Sequence, residues 1–172
     1  MVPLPMQRAG LTLCIRRVCG VLLTASLLQA ASAADRGSIQ SLIEQAAISG
    51  RIDPELGRRQ AESALEQLRR EPNPDLEIRA HLLLCDYYSE RDQGQARAQI
   101  DAANALMPQA TRPGLRAGVL NCQGETLQTA GQNEQAAEAY EQAVRIATDA
   151  QDDQILAEVL FSSGYLRGLR GE

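Results

Sequence analysis

The chain has 172 residues, a formal charge of −5 and a pI near 5.0, an acidic balance that repels phosphate backbones and argues against a nucleic-acid partner. It contains no Trp, one Phe and four Tyr, and all 17 of its basic residues are Arg. Leu, Ile, Val and above all Ala must therefore build the interior; Ala and Leu are the strongest apolar helix formers, which favours close-packed helices over a sheet.

The N-terminus reads as an export signal. Arg8, Arg16 and Arg17 precede an apolar run at 18–28, and the small residues Ala30-Ala31-Ser32-Ala33-Ala34 precede the first acid, Asp35. This is the order of positive region, apolar core and A-x-A site of a secretory signal. Residues 1–33 are therefore assigned as a signal peptide, cleaved before Ala34, and the mature chain as exported and periplasmic. Losing three Arg and no acid takes the charge from −5 to −8. The apolar core is short for a membrane span, which needs roughly 20 residues; an uncleaved anchor is the alternative. Any membrane association would come from this signal or from a segment beyond the chain.

From residue 35 onward the pattern is helical. Ser38 can cap a first helix that carries Ile39, Leu42, Ile43 and Ala46 on one face and ends at Gly50. Asp53-Pro54 is a cap followed by Pro at the first helical position. That second helix holds Ala61, Ala64, Leu65 and Leu68, with Pro72 and Pro74 beyond its end. Asn73-Pro74-Asp75 starts a third, with Ile78, Leu82, Cys85 and Tyr88 inward. A fourth is expected over 95–107, closed by Pro108, and a fifth over 113–130, closed by Gly131. Asn133 caps a sixth, and Asp152 or Asp153 a seventh that runs to the end of the chain.

These helices repeat. Gly124 and Gly131 are seven apart, Gly164 and Gly171 are seven apart, and the two pairs are separated by 40. Leu120, Gly124, Gly131, Ala136, Tyr140 and Ala143 have the spacing of a tetratricopeptide repeat, which the segment 117–150 resembles. The next copy begins Leu160, Gly164, Tyr165, Gly171; in the previous copy Cys85 takes the place of Gly124. Residues 34–75 resemble a degenerate N-terminal hairpin, and 76–172 the repeats, the last lacking its second helix. The resemblance implies a right-handed superhelical stack of antiparallel hairpins, an all-α solenoid of about 3.5 repeats. It also implies that Gly124 meets Ala136 where two helices cross, while Tyr140 fills space toward the next repeat.

Cys85 and Cys122 are the cysteines outside the signal peptide. Export would permit a disulfide. We read them instead as two buried thiols, since their side chains should diverge from neighbouring helices packed about 8–10 Å apart.

No catalytic constellation is legible, and no cofactor or metal is expected. His81, the single His, sits beside Leu82-Leu83-Leu84 without the further ligands a zinc site needs. Arg58-Arg59 and Arg69-Arg70 read as solvated helix faces. What remains is the concave wall that the first helices of each repeat line in such solenoids. By register Arg79, Asp86 and Ser89 face it, then Asn121, Glu125 and Gln128, then Glu158, Phe161 and Tyr165. The lining is polar and mildly acidic with an aromatic end, suited to an extended peptide or a partner helix, so the expected partner is a protein or peptide. The oligomeric state is left open.

A narrower resemblance follows from the signal, the degenerate hairpins, the spacing near 40 and the acidic linker at 148–153. Together they resemble the extracytoplasmic sensory region of bacterial GGDEF diguanylate cyclases. That implies a transmembrane helix and a cyclase domain beyond this chain, and no cyclase residue within it. The exposed face expected for Leu160, Phe161, Leu166 and Leu169 fits such a fragment. The alternative is a stand-alone periplasmic scaffold or assembly factor.

Overall fold

The computed structural model describes residues 38–171. The signal peptide and the cleavage site before Ala34 lie outside the described residues. All regular structure among the described residues is helical, with no strand.

The described part of α1 covers 38–50. There follow α2 (Pro54–Leu68), α3 (Pro74–Ser89) and α4 (Gln93–Leu106), a 3-10 turn (Met107–Gln109), then α5 (Leu115–Thr129), α6 (Asn133–Asp149) and α7 (Asp153–Arg170). The two Asx-Pro pairs act as expected. Asp53 accepts from the Leu56 amide at 3.0 Å and Asn73 from the Leu76 amide at 3.2 Å, and the Pro that follows each cap has no amide to lose. Two starts differ from expectation. Asp92 caps α4 by accepting from the amides of Gly94 and Gln95, so α4 begins earlier than residue 95. Asn133 lies inside α6, whose cap position, Gln132, makes no side-chain cap bond. Of the two candidates for α7, Asp152 is the cap.

Helix ends show what Gly131 does. Its φ is +75°, and two backbone bonds close the end of α5: Gly131 amide to Gln128 carbonyl and Gln132 amide to Leu127 carbonyl, both 2.9 Å. This is a Schellman closure, whose left-handed residue is normally Gly. Gly171 ends α7 with φ +74°. The end of α6 closes the same way, Asp152 amide to Ala147 carbonyl and Gln151 amide to Thr148 carbonyl, but its left-handed residue is Gln151, φ +52°. A Cβ there is strained. We therefore predict that Gln151→Gly raises the unfolding free energy by about 0.5–1 kcal/mol, offset in part by glycine's larger unfolded-state entropy; an unchanged or lower midpoint in a urea melt would contradict this.

Each helix packs against the next, and α3, α5 and α7 also meet in order, α3 on α5 and α5 on α7. Ile39 and Ile43 of α1 join Ala64, Leu68, Leu76 and Ala80 in one apolar cluster. The largest cluster runs from Ile78 and Cys85 through Ala96, Ile100 and Ala103 to Ala143, Ile155 and Val159. Alanines at the crossings let the backbones come close. The closest case lies at α1 and α2, where a Cβ on Gly57 would meet the Gly50 backbone and the Ala46 carbonyl.

Two expectations about packing are corrected. Cys85 and Cys122 form a disulfide, with Cα atoms 6.3 Å apart. The separation of helix axes misleads here. Cα atoms stand about 2.3 Å off each axis, so residues facing each other across a contact lie several ångström closer than the axes do. The two cysteines face each other because α3 and α5 are direct neighbours. The second correction concerns Gly124. A Cβ there would overlap the ring of Tyr140, not Ala136. Tyr140 therefore fills the crossing within its own hairpin. It also reaches forward, forming a cluster with Ala136 and with Leu166 of α7.

Polar ties hold the long α4–α5 connection. Asp75 at the start of α3 accepts from the Thr111 amide at 2.8 Å and from the Thr111 hydroxyl. Arg112 pairs with Asp152 at 2.7 Å. His81 Nδ1 meets Gln99 Oε1 at 2.8 Å between α3 and α4. Arg58 does more than solvate a face: it pairs with Glu55 and Glu62 at 2.5 Å each. Glu55 also accepts from the Tyr87 hydroxyl of α3 at 2.7 Å. These bonds, that from Arg58 first, hold the Glu55 carboxyl down at about 2.

Candidate functional site

Three carboxylates come from alternate helices, Asp86 of α3, Glu125 of α5 and Glu158 of α7, and the outer two act on Glu125. The contact of α3 with α5 and of α5 with α7 brings them together, although 39 and 33 residues separate them in sequence. Glu125 is central and half-buried. It accepts from Asn121 Nδ2 at 2.8 Å and from the Ser162 hydroxyl of α7 at 2.9 Å. Removal from water pushes its carboxyl up to about 8; the charges of Asp86 and Glu158 add to that, and the two hydrogen bonds oppose it without prevailing.

The flanking acids shift the same way. Asp86 is raised by lost hydration and by Glu90, against the pull of Arg91 and Arg51. Glu158 is raised by lost hydration, against the hydrogen bond from Gln154 and the charges of Arg79 and Arg51. Water still reaches Asp86 and Glu158. They are exposed and are not core groups. Asn121 adds a further unmet demand, because its Oδ1 is buried and has no hydrogen-bond partner, a state that costs about 1–3 kcal/mol for a typical polar atom.

The linkage has a definite sign. Glu125 titrates near 8 when folded and near 4.5 when unfolded. Between those values the folded chain holds a proton that the unfolded chain has released, so stability falls as pH rises and levels off above about 8. Glu125→Gln keeps the shape and removes the titration. The variant is expected to match the parent at pH 4.5 and to exceed it at pH 8.5 by roughly 2 kcal/mol, a figure discounted because water reaches the group. Urea melts at both pH values measure this; parallel pH profiles would rule it out.

The residues expected on this wall divide into three sets. Asp86, Asn121, Glu125 and Glu158 come together, with Arg79 acting on Glu158. Phe161 and Tyr165 are exposed, at 78% and 58%. Ser89 is a correction, and Gln128 is engaged with α6. Ser89 is buried and its hydroxyl donates to the Asp86 carbonyl, because it falls on the side of α3 that turns into the core. Gln128 accepts from the Tyr140 hydroxyl at 3.1 Å, which ties it to α6. Arg51 and Ser162 were missed. Arg51 lies in the turn after α1, and only the stacking of α1 on α3 gives it a place here; Ser162 enters only because α7 lies on α5.

No protein-family model matches the chain, and comparison with curated proteins and with solved structures found no match. The site's own chemistry therefore carries the reading. Among the described residues no group of His, Cys, Asp and Glu could hold a metal ion, and no helix is long and apolar enough to cross a membrane. A recess of about 300 Å³ lies between Arg112–Gly114 and Ala150–Asp153. Two of its charged groups pair with each other, since Asp152 both caps α7 and holds Arg112.

Proposed function

We propose that this chain is an exported, non-catalytic helical-repeat module of tetratricopeptide type, and that the wall formed by α3, α5 and α7 binds a peptide or partner helix through a basic side chain. The observation that carries the reading is the convergence of Asp86, Glu125 and Glu158 from α3, α5 and α7. Carboxylates that lose water and crowd one another are relieved by a cation, and a Lys or Arg brings several N–H donors as well. One such donor can satisfy the buried Asn121 Oδ1. Arg51 and Arg79 offset the acids only in part.

The repeat reading draws support from the order of helix contacts, each with the next and α3, α5 and α7 in a row, and from the Gly124–Tyr140 crossing within its own hairpin. A right-handed solenoid is the arrangement such contacts suit. The disulfide favours an oxidising compartment, in keeping with the export signal read in residues 1–33. In that setting the module serves as the sensory part of a signalling protein of the GGDEF type.

Selection from a displayed random-peptide library tests the binding. Enriched peptides should carry a Lys or Arg, and Glu125→Gln or Asn121→Ala should weaken a selected peptide by about tenfold or more. Binding a cation displaces the proton held by Glu125, so affinity should rise with pH toward 8. Enrichment of acidic or uncharged peptides, or binding indifferent to both variants, would end the proposal.

A further inference from the structure

A shift of 40 residues lays α7 on α5, with Leu160 on Leu120, Gly164 on Gly124 and Gly171 on Gly131. On one side the two helices are alike. Leu115 and Ile155, Val119 and Val159, and Thr126 and Leu166 are buried in both. On the other side they differ. Ala117, Leu120 and Gly124 are buried in α5, whereas Ala157, Leu160 and Gly164 are exposed in α7. The cover on α5 is α6, whose Tyr140 ring lies against Gly124. Nothing stands within 4 Å of a Cβ built at Gly164 or at Gly168. So α7 presents a seat of the kind that takes an aromatic ring in α5, and Phe161, Tyr165 and Leu169 stand exposed on the same helix.

We propose that a second copy of this chain covers that face, in a symmetric dimer whose two α7 helices cross antiparallel at Gly164. The seat and the rings that fit it lie on one helix, which is the self-complementarity a two-fold contact requires. Small residues at the crossing let the helices approach closely, as alanines do inside the chain. Charge selects the antiparallel direction. The acids Asp153 and Glu158 lie in the first half of α7, and Arg167 and Arg170 in its last turn. An antiparallel crossing sets each acidic half against the other copy's basic half, where a parallel one sets like against like. It also opposes the helix dipoles and brings Phe161 beside the second copy's Arg167, a pairing of ring and guanidinium.

Sedimentation equilibrium of the full chain tests this. One helix pair gives a small interface, so a dimer with a micromolar Kd is expected. Gly164→Leu fills the seat from within and should raise the Kd at least about tenfold, while its melt stays unchanged or improves, since the site is open and Leu favours a helix. Gly164→Cys should cross-link to its counterpart faster than Gln123→Cys, which sits on an exposed position of α5. Glu125→Gln should leave dimerisation untouched, so loss of the peptide-binding proposal would not remove this one. A monomer at about 100 µM overturns the proposal, whatever other polypeptide then covers α7. So does a dimer that ignores Gly164→Leu and cross-links no faster through Gly164→Cys than through Gln123→Cys.

Discussion

Replacing Cys85 or Cys122 by alanine is expected to lower the unfolding free energy by about 3–4 kcal/mol, the chain-entropy value for a loop this long. The bridge closes 37 residues and joins α3 to α5, two of the three helices of the wall. Both cysteines are buried, at 0% and 3% exposure, so a reductant should act slowly on the folded chain and fast on the unfolded one. The double variant Cys85→Ala/Cys122→Ala should be no less stable than either single one, because the first change already opens the loop. Urea melts of the three variants, with and without reductant, decide the matter. If the parent melts alike in both conditions, the cysteines are free thiols in solution. The loss should also reach the site, since an α3 no longer tied to α5 holds Asp86 less firmly beside Glu125.

The second large effect is expected at Tyr140. Its ring is 1% exposed, lies over Gly124 and touches Leu166 of α7. Tyr140→Ala removes that volume from a junction of three helices. A buried aromatic cut to alanine costs about 3–5 kcal/mol. Tyr140→Phe removes only the hydroxyl that donates to Gln128 Oε1, a loss of about 1 kcal/mol. The ratio of the two losses is the informative measurement. If Phe and Ala cost the same, the hydrogen bond and not the packing holds α5 to α6. Gly124→Ala offers a check from the other side of the contact. The added Cβ overlaps the ring, so this change should destabilise even though alanine favours a helix.

The helices themselves were legible in the sequence because their signals are local. Asp53-Pro54 and Asn73-Pro74 each carry a cap and a fixed φ in adjacent residues, and Gly131 marks a helix end through its own backbone freedom. Boundaries failed where a better local competitor stood nearby. Asp92 reaches two amides of α4, and so starts that helix ahead of the expected residue. The inward faces of α1 and α2 followed from apolar spacing alone.

The site was legible only in part. Register placed Asp86, Asn121, Glu125 and Glu158 on one wall, and the contacts of α3 with α5 and of α5 with α7 bring these residues together. It misassigned Ser89, because a small rotation of a helix turns a side chain from the wall into the core. It offered no view of Arg51 or Ser162, whose part in the site exists only across helix contacts.

Composition and periodicity thus determined that the described chain is all helix, and roughly where each helix begins and stops, because capping, proline and apolar spacing act within a few residues. Tertiary structure alone decided that Cys85 meets Cys122, that Tyr140 covers Gly124, and that three separated carboxylates converge. Each of these depends on the rotation and closest approach of whole helices, quantities fixed by the sum of many side-chain contacts and by no single stretch of sequence.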